Sequence, residues 1–185
     1  TLLNTQGSRT VYAQFKDLAG NETSGSTSDA ILLDTLIPTG LSITIDGGAT
    51  YANSTGVALT LTATGASQMR FKNETSGSWT NYEAYSATKS WTIENTQGSR
   101  TVYVQYKDLA GNETDGTTSD AILLDTLVPT GLSISIDDGA TYANSTSVEL
   151  TLGATGASQM RFKNESAGSW TNYETYGTSK SWTLS

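Results

Sequence analysis

A repeat of 91 residues organises the whole sequence. Residues 1–91 align with residues 92–182 without a gap, so that Trp79, for example, corresponds to Trp170. The two copies differ at 18 positions. A period of this length exceeds the roughly 20 to 50 residues of solenoid repeats, and it matches the size of one small β-sandwich domain. The repeat therefore predicts a series of similar small domains.

The only two prolines mark the expected domain junctions. Pro38 and Pro129 occupy the same place in the motif DTLxPTG. Proline lacks the N–H group that a ladder needs, and it drives the preceding residue into an extended conformation. We therefore expect one complete domain over residues 38–128. Residues 1–37 would form the C-terminal part of a preceding domain, and residues 129–185 the N-terminal part of a further one.

Short stretches of alternating apolar and polar residues, separated by turn signals, fill the central domain. In the stretch 57–64, for example, Val57, Leu59 and Leu61 fall on one face, which is typical of a half-buried strand. No window shows helical spacing. Seven short strands predict an all-β fold of tandem seven-stranded Ig-like β-sandwiches. The predicted strands are 41–45, 57–64, 68–72, 79–85, 89–93, 101–108 and 121–125.

Composition excludes several classes of function. The net charge is −8, and no stripe of Lys and Arg is present to neutralise phosphates, so we expect no nucleic-acid partner. The chain has no Cys and no His, which removes thiol nucleophiles, disulfides, the usual zinc ligands and the commonest general base. No apolar run reaches the ~20 residues that span a bilayer. We expect neither membrane insertion nor enzymatic activity.

Each repeat contains a group of aromatic residues. In the central domain these are Trp79, Tyr82, Tyr85 and Trp91. Aromatic side chains bury large areas and dominate small cores, so we expect the two tryptophans to lie in the core. Stacking against carbohydrate is the alternative, with partly exposed tyrosines as its platform.

Acidic residues flank the last loop of each repeat and the junction that follows. Asp108, Asp120 and Asp125 are the candidates for a calcium site, since Ca²⁺ takes 6 to 8 oxygen ligands. The equivalent residues of the first copy are Asp17, Asp29 and Asp34. The competing interpretation, which we favour, is that these side chains stabilise turns. We therefore expect no cofactor, with calcium as the one alternative.

Six asparagines begin Asn-x-Ser/Thr triplets and are candidate glycosylation sites. All fall in predicted loops. They are Asn21, Asn53, Asn73, Asn112, Asn144 and Asn164.

The pattern MRFKN…W…Y…SWT…GSRTVYVQYKDLAGN…ILLDTLVPT resembles the tandem Ig-like (fibronectin-like) repeats of bacterial and archaeal cell-surface proteins. The resemblance covers both repeats. It implies an extracellular place at the cell surface, in a stalk, sheath, adhesin or filament. We therefore expect a structural glycoprotein segment whose partners are neighbouring copies of the repeat. The alternative is an adhesin or carbohydrate-binding module.

The two incomplete parts of the chain are complementary. Residues 129–185 supply the first five predicted strands of a domain, and residues 1–37 supply the last two. Two explanations remain open: the chain is a window from a longer repeat protein, or successive chains complete one another head to tail by adding strands to exposed sheet edges.

Overall fold

The computed structural model describes residues 6–185, and within them the protein is all-β. The described residues form no α-helix. Two single 3-10 turns occur at equivalent places, at Asp46–Gly48 and Asp137–Gly139. Nothing in residues 6–185 forms a helix of the length and hydrophobicity needed to cross a membrane. The chain divides into two compact units, with the boundary between Asp125 and Thr126.

Ten strands form the first unit. The first two, β1 Gly7–Ala13 and β2 Thr27–Leu33, pair with each other as an antiparallel hairpin. The other eight strands are β3 Thr39–Ile45, β4 Tyr51–Ala52, β5 Gly56–Thr64, β6 Gln68–Asn73, β7 Glu83–Ala84, β8 Thr88–Thr92, β9 Gly98–Lys107 and β10 Thr118–Leu124.

These eight strands form two sheets that share one core, the arrangement of a β-sandwich. One sheet has the order β3-β5-β8 and the other the order β4-β10-β9-β6-β7. Alternate residues of each strand face the core, as the period of two along a strand requires. The most deeply buried side chains include Ile45, Leu59, Leu61, Met69, Phe71, Val102, Val104, Tyr106 and Leu124.

The strand β4 runs parallel to β10 at the edge of the larger sheet. The N–H of Leu123 donates to the carbonyl of Thr50 at 3.1 Å, and the N–H of Asp125 donates to the carbonyl of Ala52 at 2.9 Å. Because parallel pairing needs partners that are distant in sequence, no local pattern predicts β4.

Five strands form the second unit, and they repeat the registers of the first. The sheet β11-β12-β15 pairs Ile136 with Leu150, just as β3 pairs Ile45 with Leu59. A separate pair is formed by β13 and β14. The strands are β11 Thr130–Ile136, β12 Ser147–Thr155, β13 Gln159–Met160, β14 Glu174–Thr175 and β15 Ser179–Thr183.

The predicted strand 79–85 is wrong in extent, since only Glu83–Ala84 forms a strand. Upstream of it, the N–H of Thr80 donates to the carbonyl of Phe71 at 2.8 Å, and the Thr80 hydroxyl accepts the N–H of Phe71 at 3.0 Å. These bonds hold the segment beside β6 without a continuous ladder.

Candidate functional site: an exposed hairpin and an open half-sandwich

The hairpin β1–β2 exposes the apolar face that its counterpart buries. Residues 7–33 repeat the sequence of β9–β10 with few changes. Val102, Tyr106 and Ile122 are 0%, 0% and 2% exposed in the complete sandwich, whereas the equivalent Val11, Phe15 and Ile31 are 58%, 62% and 63% exposed. The same apolar residues thus form a core in one copy and a surface in the other.

Two residues of this face differ from the counterpart. Ala13 replaces Val104, and Phe15 replaces Tyr106. The hydroxyl of Tyr106 donates to the carbonyl of Ser42 at 3.0 Å, across the core. Phenylalanine has no hydroxyl, so Phe15 cannot form the corresponding bond. The hairpin is a slightly smaller and less polar version of β9–β10.

The second unit has the opposite deficiency, an open core. Ile134 is 63% exposed, whereas the equivalent Ile43 is 8% exposed. Val148, Leu150 and Phe162 still form a small core. Beside it lies an open cleft of about 1060 Å³. Its walls include Leu132, Ile134, Leu152, Met160, Phe162 and Tyr176.

The backbone of the second unit also has an unpaired edge. In the complete sandwich, β6 extends over six residues because it pairs with β9 along its whole length. The equivalent β13 extends over only two residues, and both pair with β14. Residues 161–164 are not part of any strand. They present the edge to which a strand like β9 would add.

The four aromatic residues divide between the core and the outer face of the larger sheet. The expected core position is correct for Trp91, whose ring lies 5.2 Å from that of Phe71. Tyr85 also packs against the core, at 6.1 Å from the Tyr106 ring, and burial raises the pKa of the Tyr106 hydroxyl above its usual value. Trp79 does not contact this core cluster, so the core prediction is wrong for it.

Trp79 and Tyr82 instead stack with cations on the outer face of the sheet. The guanidinium of Arg70 lies 5.3 Å from the Trp79 ring and 4.6 Å from the Tyr82 ring. Lys72 approaches Trp79 at 5.1 Å, and Lys107 approaches Tyr82 at 3.9 Å. Each contact is a cation–π interaction. Burial raises the pKa of the Tyr82 hydroxyl to about 12.

This outer layer includes residues that the sequence analysis did not identify. Gln105 is buried on the same face and accepts the Nε–H of Arg70 at 2.8 Å. Gly116 lies so close to Trp79 that a Cβ there would stand 2.9 Å from the indole ring. The only available signal was the alternation itself, which places Arg70 and Gln105 opposite the core-facing positions.

The same outer layer recurs in the second unit. The guanidinium of Arg161 lies 4.9 Å from the Trp170 ring and 4.6 Å from the Tyr173 ring, and Lys163 lies 5.1 Å from Trp170. In both repeats the aromatic faces are therefore in contact with the protein's own cations.

The calcium candidates are engaged within the chain. The two carboxylate oxygens of Asp108 accept the backbone N–H and the side-chain amide of Asn112, at 2.9 and 2.8 Å. These bonds, above all that of the Asn112 amide, lower the pKa of Asp108. Asp120 accepts the N–H of Ile45 at 2.8 Å. Asp125 lies exposed beyond the end of β10.

The first copy closes the same loop in the same way. Asp17 accepts the backbone N–H and the side-chain amide of Asn21, each at 2.8 Å. The Asn21 side chain lowers the pKa of Asp17. Asp29 accepts the N–H of Ala30, and Asp34 that of Leu36. In residues 6–185, no three acidic side chains converge in a way that would hold a metal ion.

In four of the six candidate glycosylation asparagines, the side-chain nitrogen to which a glycan would be attached donates a hydrogen bond within the protein. The Nδ2 of Asn73 donates to the carbonyl of Thr92, and that of Asn164 donates to the carbonyl of Thr183. Asn21 and Asn112 bind the loop aspartates, and Asn112 also reaches the carbonyl of Asp34 at 3.1 Å.

The remaining two asparagines are exposed. Asn53 and Asn144 lie in equivalent turns.

Comparison with known proteins adds no assignment: no protein family and no curated protein matches the chain.

Proposed function

We propose that this chain is a structural segment of an extracellular stalk or filament at a cell surface, made of tandem seven-stranded Ig-like sandwiches. The domain over residues 38–128 is its repeating unit, with residues 1–37 and 129–185 as parts of the neighbouring units. Its partners are further copies of the same repeat. It carries no catalytic function.

The observation that carries this proposal is the direction of the first and last strands of the sandwich. Asp120, near the start of β10, bonds to Ile45 at the end of β3, and Leu124, at the end of β10, pairs with Ala52. The segment from Ile45 to Ala52 therefore runs alongside β10 and parallel to it. The chain enters the sandwich at one end, near Thr39, and leaves from the other. Domains of this kind can be joined end to end, as a spacer requires.

The order of the strands supports the Ig-like assignment. Ig-type sandwiches place the first, second and fifth strands in one sheet and the third, sixth and seventh in the other. If β4 is counted as the continuation of β3, the central domain has seven strands, and six of them follow this distribution. The fourth strand, β7, differs, because it pairs with β6 in the larger sheet. The tandem resemblance of the sequence supports the same assignment.

The outer aromatic residues favour a structural function over carbohydrate binding. A sugar stacks on an open aromatic face, but Trp79 and Tyr82 contact Arg70, Lys72 and Lys107. Gly116 also lies against the edge of the Trp79 ring.

Small-angle X-ray scattering of proteins with one, two and four copies of residues 38–128 would test the spacer function. We expect the maximum dimension to grow linearly, by roughly 30 Å per copy, since the ten residues of β9 span about that length at ~3.3 Å per residue. A dimension that stops growing after two copies would contradict the proposal. Binding of a single copy to a glycan array, lost on Tyr82→Ala, would favour the adhesin alternative.

A further inference from the structure

We propose that the loop 108–112 is a docking surface for the segment of chain that enters the complete sandwich. Its partner is the segment 34–38, which links the hairpin β1–β2 to β3, and the side-chain amide of Asn112 makes the contact. This inference rests on the proposed function, because that function makes residues 34–38 a junction between two domains of a stalk. The contact would hold such a junction in one orientation.

The strand order of the sandwich brings this loop to the end at which the chain enters. At that end, Thr39 of β3 pairs with Thr64 of β5. The turn from β5 to β6 follows, and the N–H of Ser67 donates to the carbonyl of Lys107, the last residue of β9, at 2.9 Å. The loop 108–112 begins at the next residue. A sandwich of this topology therefore presents the loop to the segment that arrives from the preceding domain.

The loop is closed by its own hydrogen bonds. The N–H of Asp108 donates to the carbonyl of Asn112 at 3.2 Å, and the N–H of Asn112 donates to the carboxylate of Asp108 at 2.9 Å. The other carboxylate oxygen accepts the Nδ2 of Asn112 at 2.8 Å. Asp108 is 7% exposed, and Lys107 and Glu113 pair across the base of the loop. The Asn112 amide is therefore held in a fixed orientation, with its second hydrogen available to a partner.

The partner of that second hydrogen is the segment 34–38. The Nδ2 of Asn112 donates to the carbonyl of Asp34, the first residue of the segment, at 3.1 Å. The carboxylate of Asp34 accepts the N–H of Leu36 at 3.0 Å, which turns the segment locally. At the other end of the segment, Pro38 is buried. Both ends of the segment are thus held against the sandwich.

Between these two points the segment has a short pivot. Gln6 binds Thr35 by two hydrogen bonds, of 2.6 and 2.9 Å, so Thr35 belongs with the hairpin. Leu36 and Ile37, which follow, are 64% and 53% exposed and contribute little packing. Domains without a large apolar interface move relative to one another by default. The bond from Asn112 spans this pivot, and one such bond favours the docked junction over the free one by about fivefold.

Both halves of the contact recur in the sequence repeat. Asn21 closes the equivalent loop with Asp17 by the same two bonds, each at 2.8 Å. Asp125 occupies the place of Asp34 at the start of the next linking segment. Each repeat therefore combines a loop that suits the segment before it with a segment that suits the loop after it.

Nitrogen-15 relaxation of the full chain tests the contact. In the unmodified chain we expect backbone order parameters of about 0.85 at residues 35–37, and Asn112→Ala should lower them below about 0.6, the range of flexible backbone. Alanine keeps the backbone N–H that binds Asp108, so the loop itself should stay closed. The amide resonance of Thr35, which shares a peptide plane with the Asp34 carbonyl, should shift in the same variant.

Asn21→Ala is the matched control, because it removes the same bond within a loop and leaves the junction bond in place. Its order parameters at residues 35–37 should equal those of the unmodified chain. Residues 35–37 that are already flexible in the unmodified chain, or that stay ordered in Asn112→Ala, would overturn the proposal. So would an equal loss of order in the two alanine variants.

A second measurement needs no substitution. The hydrogen bond itself should transmit a scalar coupling between the Nδ2 of Asn112 and the carbonyl carbon of Asp34 in the unmodified chain. A coupling from this Nδ2 to the Asp108 carboxylate alone would overturn the proposal, even if Asn112→Ala failed to fold.

The outcomes separate this contact from the spacer function. Flexible residues 35–37, together with tandem copies that lengthen linearly in scattering, reject the docked junction and leave the spacer. An ordered segment, together with tandem copies that stop growing, rejects the spacer and leaves the contact.

Discussion

The carboxylate of Asp120 accepts the backbone N–H of Ile45 at 2.8 Å, and this bond joins the two sheets of the complete sandwich. Asp120 belongs to β10 and Ile45 to the edge strand β3. Its second carboxylate oxygen accepts the N–H of Ala121 at 2.9 Å. In the other copy, the equivalent Asp29 accepts the N–H of the following residue, Ala30, at 2.9 Å.

Asp120→Ala should destabilise the first unit by about 1–3 kcal/mol, because it leaves a partly buried N–H without its acceptor. Asp29→Ala is the matched control and should change the free energy of unfolding of the monomer by less than about 0.5 kcal/mol, as is usual for exposed positions. Urea unfolding followed by tryptophan fluorescence measures both. Equal losses in the two variants would refute the cross-sheet function of Asp120.

Gly116→Ala should also destabilise the first unit, by about 1–3 kcal/mol. Gly116 has a φ of +74°, and an added Cβ would stand 2.9 Å from the Trp79 ring. The equivalent Gly25 has nothing within 4 Å of such a Cβ, so Gly25→Ala should be neutral or slightly stabilising. Thermal unfolding of both variants checks this difference. A neutral Gly116→Ala would show that the outer layer is loosely packed.

The stability of the fold should fall as the pH drops below 3.8, the usual pKa of an aspartate carboxyl group. The pKa of Asp108 is lowered in the folded protein, chiefly by the Asn112 side chain, so the folded state binds this proton less readily than the unfolded state. This contribution of Asp108 to the free energy of unfolding is present above pH 3.8. It is lost as the pH falls through the lower pKa that Asp108 has in the folded state. Asp108→Asn removes this titration and should flatten the acid limb of urea midpoints measured from pH 7 to pH 2. An unchanged limb would show that Asp108 contributes nothing to it.

Glycans, if the protein is made in a glycosylating host, should occupy Asn53 and Asn144 in preference to the other four asparagines. Both are exposed, whereas the amides of Asn73 and Asn112 are donors within the fold. Mass spectrometry of glycopeptides measures the occupancy site by site. High occupancy at Asn112 in folded material would contradict the prediction, because its amide nitrogen donates to both Asp108 and the Asp34 carbonyl, and glycosylation removes one of its two hydrogens.

Calcium removal should leave the melting temperature unchanged. The carboxylate of Asp108 is held by Asn112, and that of Asp120 by backbone N–H groups. Calorimetry of the full chain with excess Ca²⁺ and with excess chelator makes the comparison. A higher melting temperature with Ca²⁺ would identify a metal site, and its loss in Asp125→Asn would place that site at the junction.

Alternation along the strands predicted much of the core. Val102, Val104 and Tyr106 face inward because every second side chain of a strand lies on the same face. The same rule could not place Trp79, because the segment before β7 is not part of a continuous β-ladder. The rings of Trp79 and Tyr82 lie over the outer face of the sheet instead. Nor could it find β4, whose two residues pair with a strand about 70 positions away.

The contacts of the acidic residues were harder to predict than their positions. Asp108 and Asn112 lie four residues apart in the sequence, a spacing that fits both a cation loop and a self-closed turn. The structure shows the carboxylate closing the turn. Likewise, Asn73 looks like any other glycosylation triplet, and only the three-dimensional structure shows that it accepts the indole N–H of Trp91 at 2.7 Å.

The parallel pairing of β4 with β10 determines how the sandwich would bear tension. A pull on the two ends of the sandwich draws β4, which follows the entering strand β3, in one direction. It draws β10, after which the chain leaves the sandwich, in the opposite direction. The bonds from Leu123 to Thr50 and from Asp125 to Ala52 lie across that direction. Both would be loaded together in shear, so they would have to rupture at once rather than unzip one after the other.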